Sequence, residues 1–424
     1  MSLQQRRLRE PTRVGVRDVL AVPEFRGIVF AQIASETGDQ IARVALAFLV
    51  LAGTGSALLA AATFAVSFIP TVLGAALLGP VADRFSRRSL MLGADIGRAL
   101  AVGLIGLLAL PGTPLVLLFV LLLVAEMFTP LFDSARAASI PDVLGNPNLV
   151  PVGTGLTRSL SLANQAIGLV VGGLIVTLFS ARVALFLDAL SFVISYAVLA
   201  AFMRRRPSTL ASTQSVGVLL ADLREGWTLL MADRSRRALV LLGWGMALTL
   251  VAPEAVALAY AREQHQLDAW GGVLMASVIT GAAVGSLLVV RRAMREQLDL
   301  TLPLAIAVCL PLLVTGLEPP VWLLVVLWSA SGVAQAFLVP VMSFTTLLTP
   351  NVQRGRVIGI ASGGFAACTA LGYLITGLLA DITSPAFAVV VMAVVGLTVV
   401  SLAFWRWPTR SLHADVRALE FDGY

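Results

Sequence analysis

Long apolar runs recur along the whole chain, and nothing else in the sequence constrains the fold as tightly. They fall near residues 26–52, 56–79, 89–110, 114–136, 150–179 and 183–203, then 237–260, 270–291, 299–317, 320–343, 355–379 and 384–405. Each is about the 20 residues that a helix needs to cross a bilayer. Backbone groups have no water to pair with in lipid, so runs of this kind span as helices. With 58% hydrophobic residues, 13% charged residues and a mean hydropathy of +0.91, the chain lies far from the soluble mix. The expected fold class is all-α integral membrane, with twelve transmembrane helices. The first run is too long for a signal-peptide core and is expected to be a retained helix.

Arginine placement orients the runs. The connections 80–88, 136–149, 204–236, 291–298 and 349–356, with both chain ends, hold nearly all the loop arginines. The alternate connections 53–55, 111–113, 180–182, 261–269, 318–319 and 380–383 hold only Arg182 and Arg262. Arginine-rich short loops stay on the cytoplasmic side. Both termini are therefore expected in the cytoplasm, in a multi-pass protein of the cell membrane. A net charge of +6 is explained by this orientation, so no nucleic-acid partner is implied.

The longest connection, 204–236, begins with Arg204-Arg205-Arg206-Pro207 and then spaces Leu219, Leu223, Trp227, Leu230 and Met231 as an amphipathic helix does. It divides the chain into 1–203, a six-helix bundle with an N-terminal arm, the linker 204–236, and 237–424, a second six-helix bundle with a tail. The halves echo one another. Gly74-Ala75-Ala76 precedes Arg84 and Arg88 at the offsets at which Gly281-Ala282-Ala283 precedes Arg291 and Arg295. Pro141-Asp142-Val143 is matched by Pro350-Asn351-Val352, and Gly168 and Gly173 by Gly372 and Gly377. Two similar bundles are the internal symmetry of alternating-access transporters, with the substrate site between them near the midplane.

One connection carries more than topology. Gly79-Pro80-Val81-Ala82-Asp83-Arg84-Phe85-Ser86-Arg87-Arg88 resembles the signature loop of the major facilitator superfamily between its second and third helices, with Ser86 where that family usually has a second glycine. Further stretches resemble the macrolide-efflux and enterobactin-exporter branch of drug:proton antiporters. They are Gly38-Asp39, Asp95-x-x-Arg98, Arg136-Ala137-Ala138-Ser139-Ile140-Pro141-Asp142, Asp188 with Ser191-Phe192, and Arg354-Gly355-Arg356-Val357. Gly168-Leu169-Val170-Val171-Gly172-Gly173 is similar to an antiporter motif of the fifth helix, with leucine in place of its proline. The resemblance implies two pseudo-symmetric six-helix bundles and secondary active efflux of an amphipathic small molecule, such as a drug, antibiotic or siderophore-like compound. It also implies a switch loop in which Asp83, with Gly79, Arg84, Arg87 and Arg88, latches the cytoplasmic side.

Ionisable residues within spans are costly and face the bundle interior. Glu36, Asp39 and Arg43 share one face of the first helix at i, i+3 and i+7, so Asp39 and Arg43 are expected to pair. Asp95 and Arg98 lie one turn apart and are expected to pair as well. Asp133 is a natural partner for Arg87 or Arg88. Glu126 has no basic residue within a turn on its own helix, which makes it the first candidate for proton coupling, followed by Glu36 and Asp39. Arg158, Asn164, Gln165, Phe128, Trp244 and Gln335 are candidates for the substrate cavity. Lipid-facing or packing roles are the alternative for the aromatic residues. Gly168, Gly172 and Gly173 are expected to pack helices closely. Asp188 and Glu254 lie toward the outer ends and attract no role.

The two histidines, His265 and His413, lie outside the spans, and Cys309 and Cys368 lie within apolar runs. No metal site, cofactor or enzymatic constellation is expected, and no Gly-x-x-x-x-Gly-Lys-Ser/Thr loop for ATP is present. The chain is expected to act as a monomer, with a small-molecule substrate, protons and the lipid bilayer as its partners. Movement of a lipid or endogenous metabolite, and a non-transporting receptor or scaffold on the same fold, are the competing readings.

Overall fold

The computed structural model describes residues 15–70, 85–110, 112–206, 216–350 and 353–421. A short helix, Val16–Leu20, precedes the long ones. The first six are α1 (Pro23–Thr54), α2 (Ala57–Val66), α3 (Arg87–Leu108), α4 (Leu115–Leu144), α5 (Leu149–Leu178) and α6 (Ala181–Phe202). A linker helix α7 (Val216–Ala232) leads into α8 (Arg234–Glu263), α9 (Ala269–Val289), α10 (Met294–Leu317), α11 (Val321–Leu347), α12 (Arg354–Ile382) and α13 (Pro385–Arg406). A terminal helix, α14 (Thr409–Phe421), follows. Ten of these, α3–α6 and α8–α13, are long and apolar enough to cross a membrane. α1 is longer still, and α2 begins a run that continues beyond the described residues, so the order agrees with the twelve expected spans.

Three rods are interrupted just ahead of prolines. α4 breaks at Phe128 before Pro130, α8 breaks at Val251 before Pro253, and α11 tightens into a 3-10 turn, Gln335–Phe337, before Pro340. Each proline lacks the N–H that would bond one turn back, so the run of helical bonds breaks there. Outward faces are apolar, as lipid requires: Leu100, Val116, Leu178, Trp322 and Trp405 are all exposed.

Where glycine replaces a side chain, backbones touch. A methyl group on Gly281 or Gly285 of α9 would overlap the Ser329 or Val333 carbonyl oxygen of α11, and one on Gly332 would overlap that of Val278. Helices lacking a hydrophobic drive toward one another in lipid gain their association from such close packing.

α1, α3, α4 and α6 share one buried core. α8–α13 share another, which the ends of α1, α2 and α5 join. The two groups meet through α2 against α12 and α5 against α9. All these meetings lie at the arginine-poor face. A methyl group on Gly173 of α5 would stand 3.2 Å from the Gly272 Cα of α9. Phe64 stacks on Tyr373 at 5.4 Å. Arg262 lies 4.3 Å over the Phe48 ring. The Asp381 carboxylate, at the end of α12, accepts from Ser56 Oγ at 2.5 Å and from the Ala57 and Leu58 amides at 2.5 and 3.3 Å. These are free donors at the start of α2, so one bundle caps a helix of the other. Toward the arginine-rich face the described residues draw apart. Methyl groups on Gly155 of α5, or on Gly359 and Gly363 of α12, would meet nothing within 4 Å, and Arg158 is exposed. A cleft therefore opens on that face.

Candidate functional site

Three groups of charged side chains line the interior of the first bundle. In the first, Arg43 Nη2 lies 3.2 Å from Glu126 Oε1, which also accepts from Ser67 Oγ at 2.5 Å. The expectation that Glu126 lacks a basic partner is corrected here: its counter-ion comes from α1, 83 residues away. Apolar α4 offers no charge of its own around Glu126, but α1 crosses it at Arg43. The expected Asp39–Arg43 pair gives way for the same reason. Arg43 turns to Glu126, and Asp39 lies 3.6 Å from Arg98 Nη1 instead.

The second group is centred on Arg98. Its Nη2 donates to Asp95 Oδ1 at 2.6 Å, as the spacing predicts, and Ser195 Oγ donates to the other Asp95 oxygen at 2.7 Å. The guanidinium is sandwiched between the Phe132 and Phe192 rings, 4.5 and 4.4 Å away. Stacked rings attract a cation through their faces while excluding water. Arg43, Glu126, Asp39, Arg98 and Asp188 line one cavity of about 380 Å³, including its mouth.

In the third group, Glu36 accepts from Arg136 Nη1 at 2.6 Å, Ser161 Oγ at 2.9 Å, and Asn164 Nδ2 and Gln32 Nε2 at 3.1 Å each. Arg136 also holds Asp133, at 3.0 Å. This corrects the expected pairing of Asp133 with Arg87 or Arg88. Arg87 pairs with Asp142 and the Ala138 carbonyl, and Arg88 donates to the Ala200 carbonyl at 2.8 Å. Both arginines thus staple the start of α3 to neighbouring helices. Gly79, Asp83 and Arg84 of the switch loop lie outside the described residues.

The remaining candidates are scattered. Arg158 is exposed in the cleft, and Gln165, two turns on along the same face of α5, is half-buried. Phe128 packs its ring on Gly97 of α3. Trp244 belongs to a separate apolar recess in the second bundle, with Phe365 and Met342. Its Nε1 donates to the Ala361 carbonyl at 2.8 Å, and Trp227 of the linker helix stacks on it at 5.9 Å. Gln335 lies in the 3-10 turn of α11. Gly168 packs against Thr37 and Gln40 of α1, Gly172 against Ile41, and Gly173 against α9.

Sequence reasoning gave no role to Asp188, which is 1% exposed, or to Asp381, and it used Arg136 only as part of a motif. The i+3 spacing of Asp133 and Arg136 was a readable signal for the latter. Asp381 acts across helices far apart in sequence, and Asp188 is enclosed by α1, which passes it at Gly38. No group of residues that could hold a metal occurs among the described residues.

Comparison with known proteins agrees with this architecture. The profile of the family described as transmembrane secretion effector matches residues 19–422. The multidrug efflux pump Tap of Mycobacterium tuberculosis is 25% identical over 363 residues, which is 84% of this chain and 86% of that protein. The pump of the same name from Mycolicibacterium fortuitum is 26% identical over 365 residues, covering 84% and 88%. Among solved structures, the nucleoside transporter NupG superposes with a TM-score of 0.73 at 12% identity, covering 91% of this chain and 99% of that one. At that identity the likeness concerns the fold alone. Bundles, signature arginines and a full-length profile match converge, and the chain belongs to the transmembrane secretion effector family of major facilitator transporters.

Proposed function

We propose that this transporter exports amphipathic small molecules from the cytoplasm in exchange for protons. The observation that carries the reading is the partly buried Arg43–Glu126 pair on the cavity wall. A carboxylate of this kind exchanges its arginine for a proton and thereby changes how two helices are tied, which a scaffold has no need to do. Similarity to multidrug efflux pumps over most of both chains supports the direction of transport. The arginine-rich face is read as cytoplasmic, so the open cleft is the inward-facing state. Substrate enters between α5 and α12, where Arg158 is exposed, and meets the polar group around Glu36.

Coupling is assigned to Glu126 first, with Glu36 and Asp39 after it. Protonation of Glu126 releases Arg43, which then has Asp39 on its own helix as its nearest alternative. The test uses full-length protein in liposomes with an imposed proton gradient and an amphipathic cationic dye. Dye movement should follow the gradient in the wild type, and Glu126→Gln should abolish substrate-induced proton release from purified protein. Wild-type proton release from that variant would move the assignment to Glu36. Dye movement indifferent to the gradient would end the proton-coupled reading.

A further inference from the structure

Asp188 is the one cavity-lining carboxylate whose position the transport reading leaves unexplained. It sits in α6 and is 1% exposed. Ser191 Oγ donates to its Oδ1 at 3.1 Å, while Oδ2 is buried without a hydrogen-bond partner. Among the described residues it forms no ion pair. α1 passes so close that a methyl group on Gly38 would strike both Asp188 Oδ1 and Ser191, which closes that side of the carboxylate.

The charges around it do not balance. Asp39 and Arg43 of α1, Asp95 and Arg98 of α3, and Glu126 of α4 are its charged surroundings, and α5 contributes no charged side chain to the cavity wall. Arg43 is committed to Glu126, and Arg98 is committed to Asp95 at 2.6 Å with Asp39 at 3.6 Å. Two guanidiniums thus serve four carboxylates once Asp188 is included. An ionised carboxylate with an orphaned oxygen and no counter-ion is not stable in such a place. A protonated one carries no charge to balance, and it lines the same cavity as Asp39.

We propose that Asp188 is a second proton-binding site, with the proton on its orphaned Oδ2 and facing Asp39 across the cavity. The proton comes from water through the cavity, and only an O–H bond forms or breaks. The proposal rests on the proton-coupled reading for its role in transport, but occupancy of the site is measurable without transport. Asp188 is neutral in this state, whereas Glu126 keeps its contact with Arg43, so the two sites differ in what a proton must displace.

Infrared difference spectroscopy on the reconstituted full-length protein, titrated with pH, reads protonated carboxyl groups directly. The wild type should show a protonated carboxyl band at neutral pH. Asp188→Asn should lose it, Asp95→Asn should keep it, and Asp39→Asn should shift it. Ser191→Ala, which removes the donor to Oδ1, should also shift it, so the site is testable even if Asp188→Asn folds poorly. A band unchanged in Asp188→Asn and Ser191→Ala, or no band in the wild type, would overturn the proposal. Displacement of the band by sodium at constant pH would overturn it in favour of a metal-cation site. A band lost in Asp188→Asn, beside wild-type dye efflux that ignores the proton gradient, would sustain the proton site and sink the coupling reading alone.

Discussion

Arg98 shows how a single side chain is fixed by groups that no local spacing reveals. Asp95, one turn away, is legible in the sequence, and the pair forms as expected. The Phe132 and Phe192 rings and the Ser195 hydroxyl come from α4 and α6, and only the fold assembles them. Removing one partner of a buried ion pair strands the other charge, at a cost of about 3–5 kcal/mol. Arg98→Met should therefore lower thermal stability in detergent sharply, and Asp95→Asn added to it should recover much of the loss. If the double variant is no more stable than Arg98→Met, the pair is not what holds this site. The same limit explains the misread Glu126. Helical spacing sees neighbours on one helix, whereas its arginine arrives from 83 residues away.

At the scale of elements, the apolar runs and loop arginines made the helices and their order readable. Bilayer thickness and backbone satisfaction leave little choice. The contacts between helices were readable only where glycine marked them. Gly281, Gly285 and Gly332 set the α9–α11 crossing by backbone contact, and a larger residue there forces the helices apart. Gly285→Val should reduce the yield of folded protein, with a cost of at least about 1–3 kcal/mol from overpacking. Gly359→Ala, with open space around it, should be neutral or gain up to about 1 kcal/mol of helix stability. Equal loss in both variants, measured by size-exclusion yield and thermal unfolding, would remove the crossing as the cause. The three glycines of the α5 motif have divided duties: Gly168 and Gly172 seat α1, and Gly173 seats α9. A motif read from one helix could not have separated these roles.

Across the whole molecule, the arginine asymmetry and the packed face each predict an outcome that cysteine chemistry reads. With Cys309 and Cys368 replaced by alanine, Gly53→Cys, at the end of α1, should react with an impermeant thiol reagent on intact cells. Asn146→Cys, between α4 and α5, should not. The opposite pattern would invert the topology. Ala61→Cys with Gly377→Cys places two thiols where α2 meets α12; the methyl positions there are 2.9 Å apart, somewhat inside the roughly 3.5–4.5 Å of a disulfide. Oxidation should stop dye efflux and reduction should restore it. Transport that survives complete cross-linking would mean this face never opens.

The seal on that face is made of parts that carry no chemical preference: glycine backbones, a stacked ring pair and a carboxylate capping α2. The cleft wall, from Arg158 to the group around Glu36, lies elsewhere and shares none of those parts. On the proposed transport reading, substitutions in the wall should therefore broaden or redirect what is carried without disturbing the seal between the bundles. The surface free to vary and the joint that must not vary are then built from different residues.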